Sequence, residues 1–367
     1  MATLHRTDLP TVAPLDKGPA VANPKPTTVL PLNATTRPFI AADVGGTHVR
    51  IGLIRPAGAG APVTVQHYRK YACADHPSPA EIFEDFLTHL DDGVQVDEAV
   101  IASAGYLLED GSLIAANLPW PLVPGALRER LGFRELRVVN DFEAVAHAIA
   151  EVDPRGAVLL SGPADAHVAG PILVLGPGTG LGAALSVQSE GRSLVLPTEA
   201  GQAALTPGNA LEMALLAELM KQRSHVPVES ALSGPGLMNL HAALCAIRGE
   251  AQRYAHPGEI TRAALAGEDA LARETLDIFC GLLGSVVGDM ALLYGANGGV
   301  YLAGGILPQI SDFLLHSSFV ARFLDKGPMR AALERIPVRL VEHGQLGVIG
   351  AANWYLHQRE ARRIESG

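Results

Sequence analysis

Two segments of this chain have the form strand, glycine-rich turn, strand, and no other feature restricts the fold as much. Phe39–Ala42 reads as a short apolar strand, Asp43-Val44-Gly45-Gly46-Thr47 as a turn, and Val49–Ile54 as a second strand. Later, Ile172–Leu175 reads as a strand, Gly176–Gly182 as a turn and Ala183–Val187 as a strand, with Glu190-Gly191-Arg192 turning the chain again. A supersecondary unit that recurs in this way predicts two similar α/β lobes rather than one domain.

Around each unit the pattern is strand and helix in alternation. Pro62–Tyr68 alternates as a third strand. Ser78-Pro79-Ala80-Glu81 combines an N-cap, a proline at the first helical position and a capping-box glutamate. Buried strands are predicted at Glu98–Ser103, Leu136–Asn140, Gly299–Ala303 and Val338–Val341. Helices are predicted at Phe142–Ile149, Asn209–Gln222, Glu268–Leu293 and Gln345–Leu356, the last closing the chain. Residues 1–37 are rich in Pro and Thr, lack apolar periodicity, and read as a disordered leader.

Glycine turns matter chemically because backbone N–H groups can approach a bound phosphate where no Cβ stands in the way. A single such turn is most simply a hairpin closure. Two of them, each with a Thr and the first opened by Asp43, point to a pair of phosphate-holding bends, with Asp43 placed to bind a magnesium-bound water. GxxxxGK[ST] is absent, so the chain has no Walker-type loop. Gly178-Thr179-Gly180-Leu181-Gly182-Ala183 fits the dinucleotide fingerprint in letters. That fingerprint needs a helix directly after it, and Ala183–Val187 reads as a strand. A third glycine site, Ala303-Gly304-Gly305-Ile306, follows an apolar strand and precedes a helix near Pro308. It reads equally as a nucleotide contact or as a plain turn.

Val138-Val139-Asn140-Asp141 carries a carboxylate just past a buried strand, where ligands of α/β folds gather. Asp141 also opens a helix, so local pattern leaves open whether it caps or catalyses. Asn117, Glu199 and Glu229 lie between apolar runs, and carboxylates and amides are the side chains that best satisfy paired sugar hydroxyls. Neither a G-x-S-x-G elbow nor a Cys–His pair at local spacing is present, which argues against a covalent hydrolase.

Composition narrows the partners. A formal charge of -10, from 28 basic and 38 acidic residues, repels phosphate backbones and anionic lipid, which argues against nucleic-acid and membrane binding. The three cysteines are scattered without a CxxC, which fits a reducing cytoplasm better than a disulfide framework or zinc site. The start of the chain lacks the apolar core of a signal peptide. The longest apolar stretches are broken by Gly, Asp or Pro short of a membrane span.

The ordered motifs Asp43-Val44-Gly45-Gly46-Thr47, Asn140-Asp141-Phe142, Gly176-Pro177-Gly178-Thr179-Gly180-Leu181-Gly182, Leu232-Ser233-Gly234-Pro235-Gly236-Leu237 and Ala303-Gly304-Gly305-Ile306 together resemble the bacterial glucokinase family. The resemblance runs from about Phe39 to Tyr355. It is to the branch outside the ROK sugar kinases, whose zinc-binding Cys cluster is missing. It implies a two-lobed, ribonuclease-H-like α/β fold of the actin and hexokinase type. A cleft then separates a small domain (38–128 plus 343–360) from a large one (129–342).

It also implies an ATP- and Mg2+-dependent transfer to glucose, giving glucose 6-phosphate for glycolysis in the cytoplasm, and it suggests a homodimer. In that reading Asp141 is the base that takes the proton of the C6 hydroxyl. Asn117, Asn140, Glu199 and Glu229 hold the sugar. The phosphate loops are Asp43, Val44, Gly45, Gly46 and Thr47 with Ala42 before them, and Gly176, Gly178, Thr179 and Gly180. Gly304 and Gly305 face the adenosine.

Two positions depart from the family pattern. Glu-Gly-Gly-His becomes Glu199-Ala200-Gly201-Gln202, and a usual Cys-Pro becomes Ser103-Ala104. Gln202 can still hydrogen-bond a hydroxyl through its amide but cannot change charge. A kinase for another hexose or an amino sugar, and a non-catalytic sugar-responsive regulator of the same fold, are therefore the alternatives. The absence of a helix-turn-helix segment before the first strand and a leader that is not basic argue against the regulator.

Overall fold

The computed structural model describes residues 37–56, 63–107, 113–114, 118–149, 152–165, 169–189, 192–342 and 344–365. The leader up to Thr36, Asn117 and the Glu190-Gly191 bend lie outside the described residues. In chain order the first half comprises β1 (Phe39–Val44), β2 (His48–Ile54), β3 (Val65–Ala72), α1 (Pro79–Thr88), β4 (Glu98–Ser103), the short pair β5 (Tyr106–Leu107) and β6 (Leu113–Ile114), α2 (Pro124–Leu131), β7 (Glu135–Asn140) and α3 (Asp141–Ile149). The second half comprises β8 (Val158–Ser161), β9 (Ile172–Pro177), β10 (Leu181–Ser189), β11 (Arg192–Thr198), α4 (Ala210–Met220), α5 (Gly234–Arg248), α6 (Pro257–Ala266), α7 (Ala270–Leu293), β12 (Gly299–Leu302), α8 (Ser311–His316), α9 (Phe319–Leu324), α10 (Arg330–Leu333), β13 (Val338–Leu340) and α11 (Leu346–Glu365).

The repeat read in the sequence is a repeat of topology. The first sheet runs β3-β2-β1-β4-β7 and the second β11-β10-β9-β12-β13-β8. In each, a three-stranded antiparallel meander lies beside two parallel strands, and the second sheet adds β8 at its edge. The glycine turns are the β1–β2 and β9–β10 bends of the two meanders.

β7 pairs in parallel with β4, so the first sheet draws its strands from Phe39 through Asn140. Two readings of the sequence differ from the structure. β3 is Val65–Ala72 rather than Pro62–Tyr68, since its register against β2 runs to Ala72. α7 is long and apolar enough to cross a membrane, with a mean hydropathy of 1.8, contrary to the expectation that every apolar stretch falls short. Its apolar window is 78% buried against its neighbours, as befits a core helix. It packs in the main core with β9, β12, α5, α6 and α9, around Leu276, Phe279, Leu283 and Val287.

Two helices knit the sheets together. α11 packs on β1 and β4 through Val348, Ala351, Ala352 and Tyr355. α3 lies against α11 on one side and against β10 and β11 on the other. The ring of Phe142 occupies the space over Gly182, where an added Cβ would come within 1.9 Å of it.

His147 of α3 is 8% exposed in this seam, with its ring 5.5 Å from that of His357. Burial, reinforced by His357, lowers its pKa from 6.5 to about 4. The unfolded chain therefore binds the proton first as pH falls. Stability is full above pH 6.5 and is lost as pH drops towards about 4. Urea unfolding at a series of pH values checks this, and a His147→Leu variant is expected to flatten the dependence over that window.

Candidate active site

The two glycine turns face one polar region, which can be traced residue by residue. At the first turn, Gly45 N–H donates to the His48 carbonyl (3.1 Å) and closes the bend. Asp43, 6% exposed at the end of β1, has its Oδ2 3.2 Å from Arg50 Nη1 on the facing strand. α11 presses on it: a Cβ on Gly347 would lie 2.7 Å from Asp43 Cγ. Ser103, at the end of β4, donates its hydroxyl to the Val44 carbonyl (3.2 Å) and so ties this turn to the pocket beside it.

That pocket encloses about 280 Å³ and is lined by Ser103, Gly105, Val138, Val139, Asn140, Glu143, Pro197, Thr198, Glu199 and Trp354. It sits where the carboxyl ends of β4, β7 and β11 converge, so Asn140 and Glu199, far apart in sequence, share one space.

At the start of α3 both members of the Asn140-Asp141 pair accept a backbone N–H. Asn140 Oδ1 accepts the N–H groups of Phe142 and Glu143 (3.0 Å each), so Asn140 caps α3. Asp141 is the first helical residue, half-buried, with Oδ1 2.9 Å from Phe142 N.

From Glu199 a short 3₁₀ turn leads to Gln202, whose N–H donates to the Glu199 carbonyl (2.9 Å). The Gln202 amide lies 3.4 Å from Glu229 Oε1, while Glu229 Oε2 accepts Leu181 N–H at 2.8 Å, beside the second glycine turn. That turn is held open by Gly178 N–H donating to the Gly180 carbonyl and by Gly234 N–H donating to the Gly178 carbonyl, both 2.8 Å. Gly234 begins α5, a helix the sequence reading passed over. Ser233 caps it, accepting Gly236 N–H (2.9 Å) and donating to the Glu229 carbonyl (2.8 Å). The Ser-Gly-Pro-Gly segment is therefore a helix start that braces both a carboxylate and a phosphate-type bend. An N-cap followed by proline was the available signal.

The third glycine site packs on the second turn. Gly304 has φ +95°, and a Cβ there would lie 2.5 Å from the Pro177 carbonyl oxygen. A Cβ on Gly176 would lie 2.4 Å from the Ala303 carbonyl oxygen. Only glycine permits this close approach of the ends of β9 and β12.

The structure brings Asn140 and Glu199 into one pocket, and links Glu199 through Gln202 to Glu229 and so to the second turn; Asp141 follows Asn140 in the chain but is not among the residues that line the pocket. Asn117 lies outside the described residues. Glu143 and Trp354 enter the pocket without having been singled out: each reads locally as an ordinary helix residue, and only tertiary packing turns them to the same space.

A duplicated five-strand topology, with glycine bends from both sheets beside a pocket of amides and carboxylates, defines a two-lobed α/β kinase of the actin–hexokinase type. A family model described as Glucokinase matches residues 40–358. A glucokinase-like protein of Xylella fastidiosa is 53% identical over 324 residues, covering 88% of this chain and 95% of its own. A glucokinase of Saccharophagus degradans is 36% identical, covering 86% and 98%. The crystal structure of a glucokinase from an Antarctic psychrotroph superposes with a TM-score of 0.72 at 35% identity, covering 86% and 98%. The chain belongs to the glucokinase family.

Proposed function

We propose that this protein transfers the γ-phosphoryl group of ATP to the C6 hydroxyl of D-glucose. The observation that carries the reading is the continuity of the site. Ser103 links the sugar-sized pocket to the first glycine turn, and from Glu199 on its lining the path runs through Gln202 and Glu229 to the second. Asn117, Asn140, Glu199, Gln202 and Glu229 hold the sugar hydroxyls. Each hydroxyl both donates and accepts, and this mixture of amides and carboxylates meets both needs. Asp141, next to the Asn140 cap, takes the proton of the C6 hydroxyl as it attacks phosphorus. Backbone N–H groups of Asp43–Thr47 and Gly176–Gly180 hold the phosphates, and Gly304 and Gly305 lie along the adenosine.

Mg2+ fits this site through one buried carboxylate, Asp43, acting by way of a water. Among the described residues no group of three or more His, Cys, Asp or Glu is arranged to hold a metal. When bound, it neutralises charge developing on the β- and γ-oxygens. Arg50 fixes the orientation of Asp43 from the facing strand. Closure of the cleft excludes water, which otherwise competes as the acceptor. The same reading carries a cytoplasmic location, entry of the product into glycolysis, and a homodimer.

Purified protein supplied with Mg2+–ATP and D-glucose is expected to form glucose 6-phosphate, identified by coupled NADP reduction through glucose-6-phosphate dehydrogenase. Consumption of ATP without that product, or no consumption, overturns the reading. The second outcome is also what a sugar-responsive regulator of this fold predicts.

A further inference from the structure

The pocket continues past the groups that phosphoryl transfer to glucose requires. Glu143 stands one residue beyond Phe142 in α3 and lines the same space as Asn140 and Glu199. Trp354 of α11 forms part of the same wall. The two residues stand at the crossing of the two helices that knit the sheets together. Burial pushes the Glu143 carboxyl up, and the Trp354 indole only partly opposes this. The side chain is therefore held in a setting that penalises its charge.

The remaining polar lining on the described residues is Ser103, Asn140, Thr198 and Glu199, which includes a second carboxylate and no Lys, Arg or His. A neutral hexose can satisfy the hydrogen bonds of such a pocket but leaves its negative charge uncompensated. An ammonium group supplies three donors and a compensating charge, and charge-assisted hydrogen bonds are the strong ones.

We propose that Glu143 is a specificity-determining residue of the sugar pocket, favouring a hexose that carries a protonated amine, with Trp354 as the residue that positions it. The inference rests on the phosphoryl-transfer reading of the same site.

The test uses the full chain with Mg2+–ATP near neutral pH. It compares kcat/KM for D-glucose, D-glucosamine and the uncharged N-acetyl-D-glucosamine in the wild type, Glu143→Gln and Trp354→Phe. The wild type is expected to use D-glucosamine and to prefer it clearly over its N-acetyl form. Glu143→Gln is expected to lower the glucosamine-to-glucose ratio of kcat/KM about tenfold, mainly through KM, the scale of one lost hydrogen bond to a charged group. Trp354→Phe keeps the ring, removes the N–H, and is expected to lower the ratio less.

A wild type active on glucose but inert with D-glucosamine overturns the inference and leaves the kinase reading standing. So does an unchanged ratio in Glu143→Gln. A wild type inert toward every sugar overturns the kinase reading, and this inference with it. The wild-type comparison of the two amino sugars is decisive even if neither variant folds.

Discussion

Asp141→Asn is expected to lower kcat by about 10²–10⁴-fold, the usual contribution of a positioned general base, while KM for glucose changes far less. Asparagine keeps the size and one acceptor oxygen but cannot take the proton of the C6 hydroxyl. The structure makes the experiment clean. Asn140 caps α3, and the amide oxygen of the new side chain can still accept the Phe142 N–H, so the unfolding transition is expected to stay within about 0.5 kcal/mol of wild type. Steady-state kinetics with an unfolding curve on the same preparation checks both halves. Near-normal turnover removes Asp141 from the role of base.

Gly350→Ala is expected to destabilise the fold by about 3 kcal/mol or more. A Cβ at that position lies 1.7 Å from the Ala144 carbonyl oxygen, a backbone atom of α3, so relief requires the two helices to separate. The consequence is functional as well, since α3 begins with Asp141 and α11 presses Gly347 against Asp43. Spreading this crossing moves Asp141 and Asp43 at once, and turnover is expected to fall with stability. Gly125→Ala in α2, where an added Cβ meets nothing within 4 Å, is the matched control and is expected to be neutral or slightly stabilising. Urea titration of both variants decides. A loss in Gly350→Ala no larger than in Gly125→Ala refutes the close crossing.

Some of this was legible locally. Val44, Gly45, Gly46 and Thr47 announce a bend because a run of small residues between apolar strands leaves few alternatives, and the same holds at Gly176–Gly182. Asn140-Asp141 was legible as a polar pair ending a buried strand, but not which of the two caps the helix. That depends on where Oδ1 of Asn140 meets the N–H groups of Phe142 and Glu143. The helix at Gly234 was hidden by glycines that lower helix propensity and that the tertiary structure uses for close packing: a Cβ on Gly236 would lie 2.5 Å from the Ala231 carbonyl carbon. The pairing of β7 with β4 was hidden for a related reason. A parallel strand finds its partner through a crossover, and β7 joins β4 across a helix that local pattern reads only as a connection.

Two glycine bends between short apolar strands, a carboxylate at a strand end and a duplicated order of elements were determined by sequence alone. Each depends on steric freedom or periodicity over a few consecutive residues. That Asn140, Glu143, Glu199 and Trp354 share one pocket, that Glu229 reaches the second bend, and that α3 and α11 lock together at Gly350 was decided only by the tertiary structure. Those contacts join residues separated by tens to hundreds of positions. Their meeting follows from how the two sheets and the helices between them bury apolar surface, which no short window of sequence contains.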